Sequence, residues 1–223
     1  MSIFPGFKGK LELQSPLAMR TSWRVGGKAE YFAIPEDIED LHHLLNLVKK
    51  YGLPLYVLGR GTNLLIDDAG VPGVTIFLGP AFQYIKRDVD KIVVGAATPM
   101  PSLAREASSL GYTGYEHMIG IPGTVGAGVV INAGKGTTGE MDMRGILNEV
   151  RFFNEKLSIE TLGVNDLDLR YRSSRLSRTP NIVVEAVFGL RKKHDQREID
   201  QRLKAILEER RNKFPLKLPN AGS

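Results

Sequence analysis

Cysteine is absent from the 223 residues, which removes disulfides, thiolate metal sites, iron–sulfur clusters and cysteine nucleophiles together. The absence fits a reducing compartment. Long apolar runs are also missing, and no stretch approaches the roughly 18 residues that a membrane-spanning helix requires. The first residues, Met1-Ser2-Ile3-Phe4-Pro5-Gly6, have neither the basic nor the apolar region of a secretory signal. These features predict a cytoplasmic protein with no membrane partner. Aromatic residues make up only 8% and do not alternate with basic ones, which argues against a surface that stacks nucleic-acid bases. The four histidines, His42, His43, His117 and His194, do not fall at metal-ligand spacing, so no metal site is predicted.

The remaining composition is that of an ordinary globular protein, 42% hydrophobic and 25% charged. Its length fits one large domain or two small ones. Basic residues outnumber acidic ones by 30 to 25. Much of the excess lies between Asp195 and Asn212, interleaved with Glu198, Asp200, Glu208 and Glu209. That pattern reads as a solvated helix and leaves small anions as the charged partners to consider.

A strand through Phe32, Ala33 and Ile34 leads into Pro35-Glu36-Asp37, a helix start with acids near the positive end of the dipole. Leu41, Leu44, Leu45 and Val48 follow at i, i+3, i+4 and i+7, one buried stripe. Gly52 supplies a C-terminal cap, and a short apolar strand, Leu55-Tyr56-Val57-Leu58, comes next. Strand, helix and strand predict a βαβ unit. Beyond Gly79-Pro80 the texture changes to β-rich runs at Ile92–Val94, Val129–Ile131, Val150–Phe153 and Ile182–Phe188, with one helix over Ser102–Leu110. This half predicts an α+β unit with a mostly antiparallel sheet. A last helix carries Ile199, Leu203, Ile206 and Leu207 at helical spacing. Boundaries fall at 1–79, 80–193 and 194–223.

Two glycine-rich loops concentrate the chemistry. The first, Leu58-Gly59-Arg60-Gly61-Thr62-Asn63-Leu64-Leu65, follows a strand and suits a diphosphate, because glycines let backbone N–H groups converge on an anion. It matches neither GxGxxG nor a Gly-Lys-Ser/Thr loop, and alone it reads first as a strand-to-turn connection. The second runs Gly120-Ile121-Pro122-Gly123-Thr124-Val125-Gly126-Ala127-Gly128 and leads to Asn132-Ala133-Gly134. Its open backbone fits a group pressed against it, and Asn132 offers a donor and an acceptor to a heterocycle edge. The competing reading is a bulged, tightly packed strand. One loop in each half predicts one extended ligand, with its diphosphate on the first loop and its ring system on the second.

These two loops stand in order with Thr21-Ser22-Trp23-Arg24-Val25-Gly26-Gly27, Tyr171-Arg172-Ser173-Ser174-Arg175 and Pro219-Asn220-Ala221-Gly222-Ser223. From about Thr21 onward the chain resembles the UDP-N-acetylenolpyruvoylglucosamine reductases. The loops alone are shared with the wider vanillyl-alcohol-oxidase-like (PCMH) flavoproteins. The Tyr-Arg-x-Ser segment and the terminal Ala-Gly-Ser single out the reductases.

The resemblance implies an α+β, two-subdomain FAD-binding fold and FAD-dependent, NADPH-driven reduction of an enolpyruvyl UDP-sugar for peptidoglycan synthesis, by a monomer. It implies flavin contacts from Gly59, Arg60, Gly61, Thr62, Asn63 and Leu64 in the first loop. In the second it implies Gly120, Ile121, Pro122, Thr124, Gly126, Gly128, Asn132, Ala133 and Gly134, with Val183 from a later strand. Arg172 corresponds to the catalytic arginine and Ser223 to the proton-donating serine. Tyr171, Arg172 and Arg175 fall on the substrate side.

Three departures stand out: Gly126-Ala127-Gly128 replaces Gly-Gly-Ala, the loop from Asn132 to Glu140 differs, and the chain ends where the family continues into a substrate domain. The last departure implies a mostly missing substrate domain and a chain that turns over poorly alone, and it keeps a second reading open: an FAD-binding module without turnover. A third is another oxidoreductase on the same flavin fold. With no cysteine and no histidine in either loop, the flavin is predicted to be non-covalent. Purified protein should be yellow and release its flavin into the supernatant on acid precipitation; a colourless protein that takes up no added FAD contradicts this.

Overall fold

The computed structural model describes residues 3–135, 141–190 and 193–221. The chain separates into two compact units, one running to Phe82 and taking in the segment from Pro219, the other Gln83–Leu218. Among the described residues no helix is long and apolar enough to cross a membrane.

The first unit is built on a four-stranded sheet of β1 (Lys10–Pro16), β2 (Lys28–Ile34), β3 (Leu55–Leu58) and β4 (Val71–Phe77), in the order β1-β2-β4-β3. Helix α1 (Ile38–Tyr51) connects β2 to β3. The predicted strand–helix–strand unit is present, but β2 and β3 are not neighbours: each pairs in parallel with β4, which lies between them. Sequence reading misses β4 because Pro72-Gly73 looks like a turn. Gly73 adopts φ +72, its N–H donates to Glu30 Oε2 at 2.7 Å, and the β2–β4 register shifts between Ala29 and Tyr31. The proline is tolerated in a central strand because it sits at this irregularity.

Helix α1 follows its predicted pattern. Asp37 caps it by accepting the Asp40 N–H, and Gly52 ends it in the left-handed conformation at φ 62. Leu41, Leu44, Leu45 and Val48 are all buried. Each such side chain contributes ~1.5–3 kcal/mol relative to exposure, against ~1 kcal/mol for a cap. Packing therefore holds this helix. On the sheet, Leu17, Ala29, Phe32 and Leu58 form a buried cluster flanked by Ile34, Ile66, Val71 and Phe77.

The second unit carries an antiparallel sheet of β5 (Ile85–Arg87), β6 (Lys91–Gly95), β7 (Leu147–Phe153), β8 (Ile159–Gly163) and β9 (Ile182–Gly189), ordered β5-β6-β9-β7-β8. Helices α2 (Met100–Ser109), α3 (Val125–Val130) and α4 (Gln196–Lys213) accompany it. The predicted strand at Val129–Ile131 is instead the end of α3 and the residue after it. Three β-branched residues favour a strand locally, yet Gly128 N–H donates to Thr124 O (2.9 Å) and Ile131 N–H to Ala127 O (3.1 Å). Helix α4, read from sequence as the start of a third domain, lies within the second unit and packs on the 3-10 turn Glu116–Gly120.

Asp40 ties the start of the first unit together. It is buried, and its carboxylate accepts backbone N–H groups from Lys8 (2.8 Å), Gly9 (2.9 Å) and Glu36 (3.0 Å). Each buried donor left without a partner costs ~1–3 kcal/mol. Asp40→Ala should therefore lower the unfolding free energy by ~2–4 kcal/mol in urea titrations, the sum tempered by water reaching the partly buried amides. A loss below ~0.5 kcal/mol, the range of an ordinary surface substitution, would contradict this.

Candidate functional site

The first glycine loop leaves β3 at Leu58 and belongs to the first unit. Gly61 is buried at φ +59, and a Cβ there would stand 2.3 Å from Arg20 O. Its carbonyl accepts the Ser22 N–H at 3.0 Å. Thr21 and Ser22 of the predicted motif thus support the loop from behind. Gly59, Arg60, Thr62, Asn63 and Leu64 have negative φ, so Gly61 is a single left-handed residue in ordinary backbone. A left-handed glycine of this kind is the element from which an anion-binding nest is built. Asn63 and Leu64 are exposed.

The second loop belongs to the other unit and is held by backbone bonds on both flanks. Met100 N–H donates to Gly123 O (3.0 Å), Val125 N–H to Thr98 O (2.8 Å) and Gly126 N–H to Ala96 O (2.9 Å). A Cβ on Gly126 would lie 2.8 Å from Ala96 Cβ; one on Gly128 would lie 2.6 Å from Met143 Cε and 2.7 Å from Met100 Sδ. At these two glycines the missing side chains are replaced by protein, and the N–H groups are bonded within it, to Ala96 O and Thr124 O. Gly134 is similar, with Met141 O 2.3 Å from its hypothetical Cβ. Buried Thr124 and Ala133 and strand residue Val183 belong to the same packed body. Gly120, Ile121 and Pro122 are half-buried and Ala127 is exposed; these are the accessible residues of the loop.

Helix α4 braces Gly120. Arg210 Nη1 donates to Gly120 O at 2.6 Å, and Ile206 Cγ2 lies 3.0 Å from where a Gly120 Cβ would be. Burial lowers the pKa of the Arg210 guanidinium, which stays charged because arginine titrates far above neutrality. One helical turn of α4 also reaches Lys135 through its ion pair with Glu209. Burial alone would raise the Glu116 carboxyl's pKa, but hydrogen bonds from Thr113 Oγ1 and Gly114 N–H and the Arg202 charge hold it below the ordinary value. Neighbouring His117 is buried, and desolvation pushes its pKa down.

Asn132 departs most from its predicted role. Its side chain is buried, and Nδ2 donates to Asp142 Oδ2 (3.0 Å) and to Arg170 O (2.9 Å) while Oδ1 accepts the Met143 N–H (3.2 Å). The amide predicted to meet a ring edge is engaged inside the protein. Arg172 sits in a tight reversal closed by Arg170 N–H to Ser173 O (2.9 Å) and Ser173 N–H to Arg170 O (3.2 Å). Its φ is +52, its Nη2 donates to Gly134 O at 2.7 Å, and its guanidinium lies 5.1 Å from the centre of the exposed Tyr171 ring. Arg175 is exposed at the start of a 3-10 turn. The structure thus brings Arg172 and Gly134 together. Ser223 and Gly136–Glu140 lie outside the described residues. Sequence reading missed Asp142, Ser174, Arg144 and Arg210 as supporting groups; only Ser174 carried a signal, the Ser-x-x-Ser spacing of a cap.

Residues 29–163 match the family described as "FAD binding domain". The fold also aligns with a solvent-stable cholesterol oxidase at a TM-score of 0.60 and 15% identity, covering 83% of this chain and 39% of that one. Fold and loops together define an FAD-binding flavoprotein. The UDP-N-acetylenolpyruvylglucosamine reductase of Thermus caldophilus aligns at a TM-score of 0.75 and 31% identity over 93% of this chain and 71% of that one. The UDP-N-acetylenolpyruvoylglucosamine reductases of Synechococcus sp. (strain WH7803) and Bacillus subtilis (strain 168) are 38% and 35% identical, each over 96% of this chain and 70% of their own length. The chain belongs to the UDP-N-acetylenolpyruvoylglucosamine reductase family.

The two loops use glycine for different reasons, and substitution separates them. Gly61→Ala adds left-handed strain of ~1–2 kcal/mol beside a backbone clash, and should weaken FAD binding about tenfold or more, a change equivalent to ~1.4 kcal/mol. Gly126→Ala pushes α3 off Ala96 and should cost ~1–3 kcal/mol of stability, as overpacking does, before it costs FAD affinity. Fluorescence titration with FAD and urea unfolding measure both; equal effects of the two variants on affinity would contradict the assignment.

Proposed function

We propose that this chain reduces the enolpyruvyl ether of UDP-N-acetylglucosamine to UDP-N-acetylmuramate, with NADPH as reductant, and acts as a cytoplasmic monomer on this small nucleotide sugar. Two observations support a fit to the flavin nucleotide: the single left-handed glycine of the first loop, the kind of residue an anion nest for a diphosphate needs, and the Gly120–Pro122 stretch, left half-buried and held by Arg210. Gly59–Leu64 and Gly120–Pro122 would hold it; the bonded Gly126, Gly128 and Asn132 would support the second loop. When bound, FAD supplies the hydride it has accepted from the nicotinamide.

The observation that carries the reading is the Tyr171–Arg172 turn. Its guanidinium commits Nη2 to Gly134 O, and among the described residues its other N–H groups are left to meet a carboxylate. A planar guanidinium matches a carboxylate bidentately and keeps its charge throughout. Held in place beforehand, it offsets negative charge that builds on the enolpyruvyl carboxylate during reduction, which is where an electrostatic group lowers a barrier. Ser223 is the residue we assign to deliver the proton to carbon, on the resemblance of Ala221-Gly222-Ser223 to the family motif. Tyr171 and Arg175, both exposed beside this turn, would face the substrate.

Arg172→Ala tests the role directly. Anaerobic single turnover, in which reduced flavin is mixed with the enolpyruvyl sugar, reads the chemical step without any contribution from the nicotinamide. The variant should bind FAD normally and reoxidise about 10²–10³ times more slowly than the parent chain, the usual effect of losing one preorganised electrostatic donor. A rate within threefold of the parent would return Arg172 to a surface residue.

A further inference from the structure

The segments 130–134 and 170–174 are joined at alternate residues by side chains that donate to backbone carbonyls. Ser174 Oγ reaches Val130 O (2.6 Å), Asn132 Nδ2 reaches Arg170 O (2.9 Å), and Arg172 Nη2 reaches Gly134 O (2.7 Å). The middle link is the most buried side chain of the three that is not a hydroxyl, with Asn132 1% exposed. Its carbonyl acceptor also receives the Ser173 N–H that closes the turn, so Asn132 grips the turn at its base. The other end of the same amide is fastened to Asp142 Oδ2 and the Met143 N–H. Asp142 is fixed in turn, because its Oδ1 accepts the Arg144 N–H at 2.9 Å.

The backbone at Asn132 has φ +46, a conformation that costs most side chains energy and that asparagine tolerates better than others. An aspartate of the same shape could not donate to Arg170 O and would set a second carboxylate against Asp142. A glycine would suit the backbone and leave Arg170 O, Asp142 Oδ2 and the Met143 N–H without this partner. Only a primary amide of this length gives two donors and one acceptor to those three groups.

We propose that Asn132 is a positioning residue: its amide sets the place of the Tyr171–Arg172 turn relative to Gly134 and does not contact FAD. The inference rests on the reading of Arg172 as the group that binds the enolpyruvyl carboxylate. Misplacement by about 1 Å can cost a hundredfold in rate, and a turn released at its base has that freedom.

Asn132→Gly, Asn132→Asp and the milder Asn132→Ser, which keeps one donor, test the proposal in the chain as it stands. Three quantities are measured: hydrogen exchange of the 168–176 peptide, the FAD dissociation constant, and the single-turnover reoxidation rate with UDP-N-acetylglucosamine enolpyruvate. The turn should exchange at least tenfold faster in the Gly and Asp variants, FAD affinity should stay within threefold, and reoxidation should fall about 100-fold. The Ser variant should fall between these and the parent, and it serves alone if the other two do not fold. A loss of FAD affinity with the turn still protected would overturn the proposal and make Asn132 a cofactor contact. Unchanged exchange and unchanged rate would overturn it as well. Arg172→Ala, run beside them, isolates the underlying reading: if that variant keeps its rate, the role of Arg172 fails, while turn exchange still reports on Asn132 itself.

Discussion

A carbonyl oxygen turned into a protein must find a donor, and those of Val130, Arg170 and Gly134 find theirs in Ser174, Asn132 and Arg172. These three bonds make the end of α3, the Asn-Ala-Gly segment and the arginine turn one body. Each link relies on the others. Ser174 is also the cap of the 3-10 turn that follows it, and Arg144 adds a fourth donation, to Leu169 O at 2.6 Å. The left-handed residues Asn132, Asp168 and Arg172 are the backbone cost of folding so many reversals into a short stretch. Such residues persist where their surroundings over-determine them, and they gather at working sites.

The same economy governs the two glycine loops, which look alike in sequence and differ physically. In the first, one left-handed glycine lies against the Arg20–Ser22 backbone. In the second, the later glycines let α3 approach Ala96, Met100 and Met143 to distances no side chain would permit. The earlier residues of the loop are half-buried, and α4 stabilises Gly120 through Arg210 and Ile206. The charged helix read from sequence as solvated surface is therefore solvated on one side and a brace on the other.

Much of the fold was legible where local pattern and tertiary fate agree. Helix α1 announces itself by an apolar stripe, an Asp cap and a Gly stop, all of which the structure uses. The strands at 92–94, 150–153 and 182–188 were visible as runs rich in β-branched and aromatic residues, most of which end up buried in an antiparallel sheet. Two elements were misread for opposite reasons. Pro72-Gly73 hides a central strand because the irregularity that accommodates it is made by Glu30, far away in sequence. Val129-Val130-Ile131 mimics a strand because the packing that bends it into a helix comes from residues 96–100 and 143. Of the candidate site, Arg172 and the loops were legible as motifs. The duty of Asn132 could not, because its partners at 142, 143 and 170 become neighbours only in three dimensions.

The role of Arg172 depends on an arginine turn that is preformed. Hydrogen exchange across residues 168–176, compared in the flavin-free and FAD-bound protein, asks this directly. A turn built from protein-to-protein bonds should exchange slowly without flavin and change less than threefold when FAD binds, since those bonds do not depend on the cofactor. A turn that exchanges freely in the flavin-free chain and gains strong protection only with FAD would show that the cofactor, not Asn132 and Ser174, places Arg172.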